Sequence, residues 1–390
     1  MLYKSISLLA LAGQALAQNT PTLVQALNSS SDLSQLSAVL ALNPQLVETL
    51  GSAQNITILA PSNAAFGKVD NATLGALTAN PALLAATLQY HVLNGTVYGS
   101  QVTNTSAFVP TLLTDTQFTN VTGGQRVRAQ LRNGNVTFYS GLNLNSTVSQ
   151  ANVNFTGGVI HVIDSLLTVP ESAGDTLTAA GLTSLRGALN ATNLLDTINN
   201  TPNITIFAPS NAALQAIGGS LASFSAQDQT NVLTYHAVVG AAPGYSSGLT
   251  NGTVLSTVNG ANLTVTINQG RVFVNGARVT TPDVLIANGV VHCSRANYLR
   301  SVLNPSNGTI ANPSATAGVV AFSGASSASA APFTSGQPSA SRTLATEPTQ
   351  PAGGAAASSS TMSTGGVAQA MQTGSVGMGA ILGAAAVFFL

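Results

Sequence analysis

The chain has 390 residues, only 6% of them charged, and its formal net charge is zero. Lys68 is the only lysine beyond Lys4, and the sequence has no cluster of basic residues. Because nucleic-acid binding depends on Lys and Arg side chains that neutralise phosphates, this composition excludes a nucleic-acid partner. Cys293 is the only cysteine, which excludes an intramolecular disulfide and favours a thiol buried as an apolar group, with an intermolecular bridge as the alternative.

Residues 1–17 have the pattern of a secretory signal peptide. Lys4 precedes the apolar run Ile6–Leu11, and Ala15-Leu16-Ala17 has the small-residue form of a cleavage site. The apolar run is too short to span a bilayer. We therefore expect the mature chain to be secreted and to begin at Gln18.

Residues 18–52 are predicted to be helical. Ser31 is expected to cap a segment whose apolar residues recur on one helical face. Those residues are Leu33, Leu36, Val39 and Leu40. Pro44 suits the first turn of a second helix, which should end near Gly51.

A strand and a further helix are predicted next. Ile56–Leu59 has the pattern of a buried strand that is broken by Pro61. Leu83–Leu88, after Pro81, has the pattern of a helix.

Hairpin patterns come later in each half of the chain. Arg126–Leu131 and Val136–Tyr139 flank Asn133-Gly134, a turn dipeptide that tolerates positive φ. In the second half, alternating apolar residues flank a turn at Gly270. They are Leu263, Val265, Ile267, Val272 and Val274. Helices first and strands later indicate an α+β fold rather than a parallel α/β sheet.

Three short phrases occur twice in the same order. The first phrase, Asn-Ile-Thr-Ile-x-Ala-Pro-Ser-Asn-Ala-Ala, begins at residue 55 and again at residue 203. The second phrase is Tyr90-His91 and then Tyr235-His236, and the third is Gly158–His161 and then Gly289–His292. A repeat period above 100 residues indicates two copies of one domain rather than a solenoid.

These phrases resemble the motifs of the fasciclin (FAS1) family. The matching residues are Thr57, Pro61, Asn63, Phe66, Tyr90, His91, His161, Asp164, Thr205, Pro209, Asn211, Tyr235, His236 and His292. The second copy departs after its third phrase, where Ser294 and Arg295 replace Ile163 and Asp164. The resemblance implies two tandem FAS1-type domains, each an α+β wedge or sandwich of β-sheet with helices packed on it. It also implies an extracellular adhesion-type module with no general catalytic role.

The repeats and the composition together predict the domain boundaries. The predicted parts are a signal peptide (1–17), a first FAS1 domain (18–170), a linker (171–178), a second FAS1 domain (179–305), a disordered stalk rich in Ser, Ala, Gly and Thr with a GPI-attachment region (306–375) and a hydrophobic GPI-signal tail (376–390). Plant fasciclin-like arabinogalactan proteins have dense Ala-Pro and Ser-Pro repeats. Such repeats are few in this stalk, so a fungal surface protein is favoured over a plant one.

The C-terminal tail has the pattern of a GPI-attachment signal. No charged residue follows Glu347, and residues 376–390 are apolar or glycine, but too few to span a bilayer as a helix. Small residues suitable for attachment precede the tail; the candidates are Ser363, Thr364, Gly365 and Gly366. The alternative is a tail that simply remains on a secreted protein.

Asn-x-Ser/Thr sequons are frequent and are candidate glycosylation sites in a secreted chain. They are Asn28, Asn55, Asn71, Asn94, Asn104, Asn120, Asn135, Asn145, Asn154, Asn190, Asn199, Asn203, Asn251, Asn262 and Asn307. Glycans would supply the solubility that so few charged residues cannot. Asn55 and Asn203 lie beside the first phrase, where steric blocking is expected to be strongest.

The sequence offers little for catalysis or metal binding. The four histidines all lie in the phrases and are too far apart for a recognised metal-ligand spacing, so no cofactor or metal is expected. Ser62, His91 and Asp164 have the residue types of a hydrolytic triad, but Ser62 lacks a Gly-x-Ser-x-Gly elbow and suits a helix N-cap. No enzymatic activity is expected.

One candidate adhesion contact stands before the third phrase of the second copy. Asp283-Val284 corresponds to an Asp-Ile pair implicated in integrin contact in animal relatives of the family, and the first copy has Asn152-Val153. The alternative is a loop aspartate that caps a turn.

These observations together predict a secreted, glycosylated, GPI-anchored surface protein. Its predicted role is cell adhesion or organisation of the cell wall or matrix. Its expected partners are surface or wall proteins and glycans, with the membrane contacted through the GPI lipid. The alternatives are membrane tethering or trafficking in the secretory or vacuolar system, a surface hydrolase, and a small-molecule carrier.

Overall fold

The computed structural model of the protein describes residues 20–294 and 326–345, which belong to one compact unit. The predicted signal peptide, Arg295, Asn307, the GPI-attachment candidates and the hydrophobic tail lie outside the described residues. Within the described residues, no helix is long and apolar enough to cross a membrane.

Domain 1 begins with helices and continues into a sheet. Its helices are α1 (Leu23–Asn28), α2 (Ser34–Ala41), α3 (Pro44–Ser52), α4 (Asn63–Gly67), α5 (Asn71–Ala79) and α6 (Pro81–Tyr90). Its strands are β1 (Ile56–Pro61), β2 (Val92–Asn94), β3 (Ala107–Pro110), β4 (Arg126–Arg132), β5 (Asn135–Tyr139), β6 (Asn145–Phe155) and β7 (Gly158–Ile163).

Side-chain caps explain where most of these helices begin. The side chains of Asn43, Ser62, Asp70 and Asn80 each accept a hydrogen bond from a backbone N–H in the first turn of the helix that follows. The predicted cap at Ser31 is wrong. Ser31 lies inside a 3-10 turn before α2, and its carbonyl accepts a hydrogen bond from the Asn63 side chain.

The seven strands of domain 1 form one sheet in the order β2-β1-β7-β6-β5-β4-β3. The two strands that carry the first and third phrases, β1 and β7, pair in parallel and are almost wholly buried. Ile58 packs into the core on the helical side, whereas the next residue, Leu59, packs into the opposite core. A strand buried on both faces needs a continuous apolar run, which is what this phrase supplies.

Domain 2 repeats this arrangement. Its helices are α7 (Ala173–Ala179), α8 (Thr183–Ala191), α9 (Leu195–Asn200), α10 (Asn211–Ala216), α11 (Gly218–Leu221) and α12 (Ala226–Thr234). Its strands are β8 (Ile204–Ala208), β9 (Ala237–Val239), β10 (Val254–Ser256), β11 (Asn262–Asn268), β12 (Arg271–Val274), β13 (Ala277–Arg278), β14 (Thr281–Ile286) and β15 (Gly289–Cys293).

Domain 2 has two four-stranded sheets where domain 1 has one sheet. The orders are β14-β15-β8-β9 and β10-β11-β12-β13, and β8 pairs in parallel with β15. In domain 1 the eleven-residue strand β6 pairs with both β5 and β7, so the sheet is continuous. The corresponding segment of domain 2 is interrupted at Val279-Thr280, between β13 and β14, which separates the two sheets.

Both predicted hairpins are present. β4 and β5 are joined by Asn133 and Gly134 with φ of 50° and 80°, and β11 and β12 by Gln269 and Gly270 with φ of 50° and 70°. Two consecutive positive φ angles are the geometry that a tight hairpin turn requires.

The predicted linker 171–178 is largely helix. Ser172 caps α7 by accepting a hydrogen bond from the N–H of Asp175, and Ala173 and Leu177 are fully buried in the core of domain 2. Domain 2 therefore begins near residue 172 rather than 179, because the first turn of α7 already contributes apolar side chains to its core.

The two domains contact each other through hydrogen bonds and a ring stack. Gln125 of domain 1 is fully buried, and its Nε2 donates to the carbonyls of Ile286 and Ala287 in domain 2 at 3.1 and 3.2 Å. The rings of Phe108 and Tyr245 stack with centroids 3.9 Å apart. These contacts are mostly polar and directional, so they define one relative orientation of the domains.

Residues 326–345, the strap, have no regular secondary structure and lie against both domains. Within domain 2, Ala328 N donates to the carbonyl of Gln215, and Phe333 packs against the helical core. Towards the other end, Leu344 N donates to Ala179 O, and Ala345 N donates to Leu142 O of domain 1. The predicted disordered stalk 306–375 is therefore wrong for these residues, because their backbone and apolar groups are bound by the domains.

Candidate functional site

The third-phrase histidines hold a loop against the paired central strands. In domain 1, His161 Nδ1 accepts a hydrogen bond from Asn152 N at 3.2 Å, so its proton is on Nε2, which donates to Val97 O at 2.8 Å. Thr57 of the first phrase accepts from Val97 N and donates to Gly95 O. Residues of the first and third phrases therefore hold the same loop residue, Val97, through its backbone N–H and carbonyl.

The same network occurs in domain 2. His292 Nδ1 accepts from Asp283 N at 3.3 Å and its Nε2 contacts Gly244 O at 2.9 Å, while Thr205 accepts from Gly244 N at 2.7 Å. Two independent copies with the same contacts indicate a structural role for these residues.

The Tyr-His pairs are also structural. Tyr90 donates to the carbonyl of Arg126, and Tyr235 to that of Asn262. His91 Nδ1 donates to Thr87 O at 2.7 Å, and its Nε2 accepts from Leu167 N at 2.9 Å. Burial lowers the pKa of His91, and likewise of His236, to about 4, so both imidazoles are neutral at neutral pH.

The first-phrase asparagines join the phrase to a preceding helix. Asn63 Oδ1 accepts from Gln35 N at 3.0 Å, and Asn211 Oδ1 accepts from Ser184 N at 3.0 Å. Each side chain thus satisfies an N–H in the first turn of α2 or α8, where helices leave backbone donors unpaired.

The residues with triad chemistry are not arranged as a triad. Ser62 Oγ accepts from Ala65 N as the cap of α4, and His91 is held by backbone groups as described. Asp164 Oδ1 accepts from Thr147 N at 2.8 Å, and its Oδ2 lies 3.5 Å from Lys68 Nζ. Among residues 20–294 and 326–345, no three His, Cys, Asp or Glu side chains are grouped so that they could hold a metal ion.

Cys293 lies at the end of β15 with 6% of its surface exposed, which confirms the predicted burial. Burial raises the pKa of its thiol to about 12, so the thiol stays protonated at neutral pH.

The candidate adhesion contact is buried. Asp283 and Val284 are 2% and 0% exposed. Asp283 has φ of 62°, its Oδ1 accepts from Ser246 N at 2.8 Å, and its Oδ2 accepts from the Ser246 hydroxyl. The prediction of a surface contact is therefore wrong, and the alternative of an aspartate that organises a turn fits the geometry.

The sequons lie mainly on exposed positions. Of the fourteen within the described residues, twelve are exposed, Asn199 is half-buried and Asn203 is buried. The exposed ones are Asn28, Asn55, Asn71, Asn94, Asn104, Asn120, Asn135, Asn145, Asn154, Asn190, Asn251 and Asn262. Asn55, which we expected to be blocked, is among them.

Asn203 is unsuitable as a glycan acceptor in the folded protein. Its Nδ2, the atom to which a glycan would be attached, donates to Thr122 Oγ1 at 2.7 Å and to Ala241 O at 3.2 Å. Its Oδ1 accepts from Thr122 N at 2.9 Å. Because Thr122 belongs to domain 1, this asparagine is part of the domain interface.

Domain 1 also contains a cavity of about 480 Å³ that the sequence did not predict. It lies between α5, α6 and the segment 165–171 that follows β7, and Arg342 of the strap forms part of its wall. No local pattern indicates this site, because Arg342 contacts Glu171, a residue 171 positions earlier in the chain.

Comparison with known proteins agrees with the repeated architecture. The fasciclin domain model matches residues 31–170 and 180–293. A fasciclin-like arabinogalactan protein of Arthroderma benhamiae is 38% identical over 285 residues, which cover 71% of this chain and 65% of that protein. Fasciclin-like arabinogalactan protein CTB11 of Cercospora beticola is 27% identical, with 73% and 78% of the two chains covered.

A solved FAS1 domain pair from the insect cell adhesion molecule fasciclin I shares 21% identity with this chain. The alignment covers 70% of this chain and 99% of that structure, with a TM-score of 0.33. The family model matches more than half of the chain in two copies that coincide with domains 1 and 2. The chain belongs to the fasciclin domain family.

Proposed function

We propose that the protein is a secreted, N-glycosylated surface protein that acts in cell adhesion or in the organisation of the cell wall or matrix. It has no catalytic role in this proposal. The residues of the repeated phrases form hydrogen bonds and core contacts that hold each domain together. Contacts with partners are therefore left to the outer surface.

The observation that carries this proposal is the exposure of the sequons. Twelve of the fourteen described sequons lie on exposed positions, spread over both domains. Glycans at these positions would add solubility to a chain with few charges and would bring carbohydrate into contact with the surroundings. The fasciclin-like arabinogalactan proteins among its relatives support the same class of role.

The proposal includes a GPI anchor. Attachment at one of the small residues 363–366 would join the two domains to the plasma membrane, or to the wall after transfer. The uncharged tail that follows these residues supports the anchor. The rival role, membrane tethering within the secretory or vacuolar system, would require the tail to be retained.

The anchor is tested by treating intact cells with a GPI-specific phospholipase. We expect the protein to be released, with its mature C-terminus at one of residues 363–366 by mass spectrometry. Continued membrane retention with an intact Leu390 would contradict the anchor and favour the tethering role.

The glycans and the adhesive role are tested on the purified, secreted protein. We expect a glycosidase that removes N-linked glycans to lower the mass by several glycan units. Asn262→Gln should remove one glycan unit, whereas the matched change Asn203→Gln should remove none. Cells that lack the protein should bind less to each other or to isolated wall material, and equal binding would contradict the adhesive role.

A further inference from the structure

The cavity of domain 1 has the size of a small-molecule site. Its volume of about 480 Å³ lies within the range of roughly 300–1,000 Å³ that is common for ligand sites in proteins. Leu77 of α5, Leu83 of α6 and Leu166 after β7 supply apolar surface from three separate elements. Three separate elements of the fold therefore contribute apolar side chains to one side of this open cavity.

The charged groups at the cavity are already paired. Lys68 Nζ lies 3.5 Å from Asp164 Oδ2 and 3.2 Å from Ser165 Oγ. Arg342 lies 3.2 Å from Glu171 Oε1, and its other terminal nitrogen donates to Thr168 Oγ1 at 3.1 Å. The carboxylate of Asp70 accepts from Thr73 N and Thr73 Oγ1 at 2.8 Å.

This pairing determines the kind of ligand that fits. A charged ligand would have to compete with the existing partners of Lys68 or Arg342, and it would lose part of its hydration against a mainly apolar surface. A neutral ligand avoids both costs. Its hydroxyl or carbonyl groups could still form hydrogen bonds with Ser165 and Thr168, which line the cavity.

The corresponding part of domain 2 is built differently and is covered by the strap. The first of the two helices that follow the first phrase has nine residues in domain 1 (α5) but four in domain 2 (α11). The strap covers this part of domain 2: a Cβ added at Gly218 would lie 2.7 Å from the Cβ of Ala328. The strap thus fills a surface of domain 2 at one end and contributes to the cavity of domain 1 at the other.

We propose that the domain 1 cavity binds a neutral amphiphilic small molecule, with its apolar body against Leu77, Leu83 and Leu166 and its polar groups near Ser165 and Thr168. Arg342 of the strap acts as a positioning residue that closes one wall. This site is independent of the adhesive surface and of the anchor.

The test uses the full secreted protein and Nile red, a neutral apolar dye that fluoresces on leaving water. Ala76 is exposed on α5 and lines the cavity. The indole of Ala76→Trp should therefore occupy the cavity without disturbing the hydrophobic core. Ala79→Trp is the matched control, since Ala79 is exposed on the same helix but does not line the cavity. We expect saturable binding in the native protein and the control, and at least tenfold weaker binding in Ala76→Trp.

Two further measurements complete the test. Arg342→Ala should weaken Nile red binding several-fold, because the wall formed by the strap is lost. The anionic dye anilinonaphthalene sulfonate should bind less tightly than Nile red. Equal Nile red binding by Ala76→Trp and Ala79→Trp, or tighter binding of the anionic dye, would overturn the proposal. Equal melting temperatures of the two Trp variants establish that both are folded.

Discussion

Gly158 and Gly289 show how single positions permit the central strand pairing. A Cβ placed on either glycine would lie 1.9 Å from a carbonyl oxygen of the neighbouring parallel strand, on Ile56 or Ile204. Any side chain there would force the strands apart. The glycine that opens the third phrase is therefore required by the close approach of β1 to β7 and of β8 to β15.

The first-phrase isoleucines provide a stability test at the residue scale. Ile58 and Ile206 are 5% and 3% exposed and lie in the helical-side cores, and burial of the Ile58 strand was predicted from the sequence. Ile58→Asp or Ile206→Asp should abolish secretion, because an unpaired buried carboxylate costs several kcal/mol, a large share of a domain's stability. Val24→Asp is the control, since Val24 is 50% exposed. Normal secretion and an unchanged melting temperature of the isoleucine variants would contradict the prediction.

The buried Tyr-His pairs predict a loss of stability in acid. In the folded protein the pKa of His91 and of His236 is about 4, below the ordinary value of 6.5, so the unfolded chain binds protons more readily. Their contribution to stability is full above pH 6.5 and is lost as the pH falls towards 4. Each pKa unit corresponds to about 1.4 kcal/mol.

Thermal unfolding across this pH range checks the prediction. The melting temperature should fall between pH 6.5 and pH 4, and the fall should be smaller in His91→Gln, since Gln can donate to Thr87 O without titrating. An identical pH dependence in the variant would show that His91 does not contribute.

At the scale of elements, the sequence patterns correctly predicted the features that depend on residues adjacent in the chain. The hairpin at Asn133-Gly134 and the helix that begins at Pro81 depend on neighbours in sequence, and both were predicted. Two other features depend on which apolar side chains pack into a core: the interruption between β13 and β14, and the helix in the predicted linker. A short stretch of sequence does not contain that information. The cavity and the strap depend on contacts between residues more than 100 positions apart, such as Ala328 with Gln215.

The strap can be tested at Gly187, in the middle of α8. A Cβ at this position would lie 1.9 Å from the carbonyl oxygen of Phe333, so Gly187→Ala must displace the strap. Within a helix, Gly→Ala ordinarily stabilises by up to about 1 kcal/mol. We expect the opposite sign here: a lower melting temperature and faster proteolysis within residues 326–345.

Gly248→Ala is the matched control, because nothing lies within 4 Å of a Cβ added there. It should leave cleavage of the strap unchanged. Stabilisation of the protein by Gly187→Ala would show that the strap does not pack on α8 in solution.

At the scale of the whole molecule, the hydrogen bonds between the domains predict that the two domains unfold as one cooperative unit. Asn203 takes part in this interface, because its side chain is hydrogen-bonded to Thr122 of the other domain. The same hydrogen bonds occupy the amide that a glycan would need. The first phrase thus serves the fold of domain 2, and its residue Asn203 also forms part of the contact with domain 1.

The buried Gln125 provides the corresponding test. Gln125→Leu removes its hydrogen bonds to Ile286 and Ala287, a change that should cost about 1–3 kcal/mol. We expect calorimetry to resolve two unfolding transitions where the native protein shows one. Gln130→Leu, which removes a hydrogen bond to Asn104 within domain 1, should preserve a single transition. One transition in both variants would contradict the coupling.

The strap also has a mechanical consequence for an anchored protein. With the proposed attachment near residue 363, tension from the lipid would reach the strap at its C-terminal end, Ala345. Tension applied from that side would load the contacts of Ala345 first and those of Arg342 and Phe333 only afterwards. Peeling contacts one at a time needs less force than shearing them together, so a pulled strap would detach from the domains contact by contact.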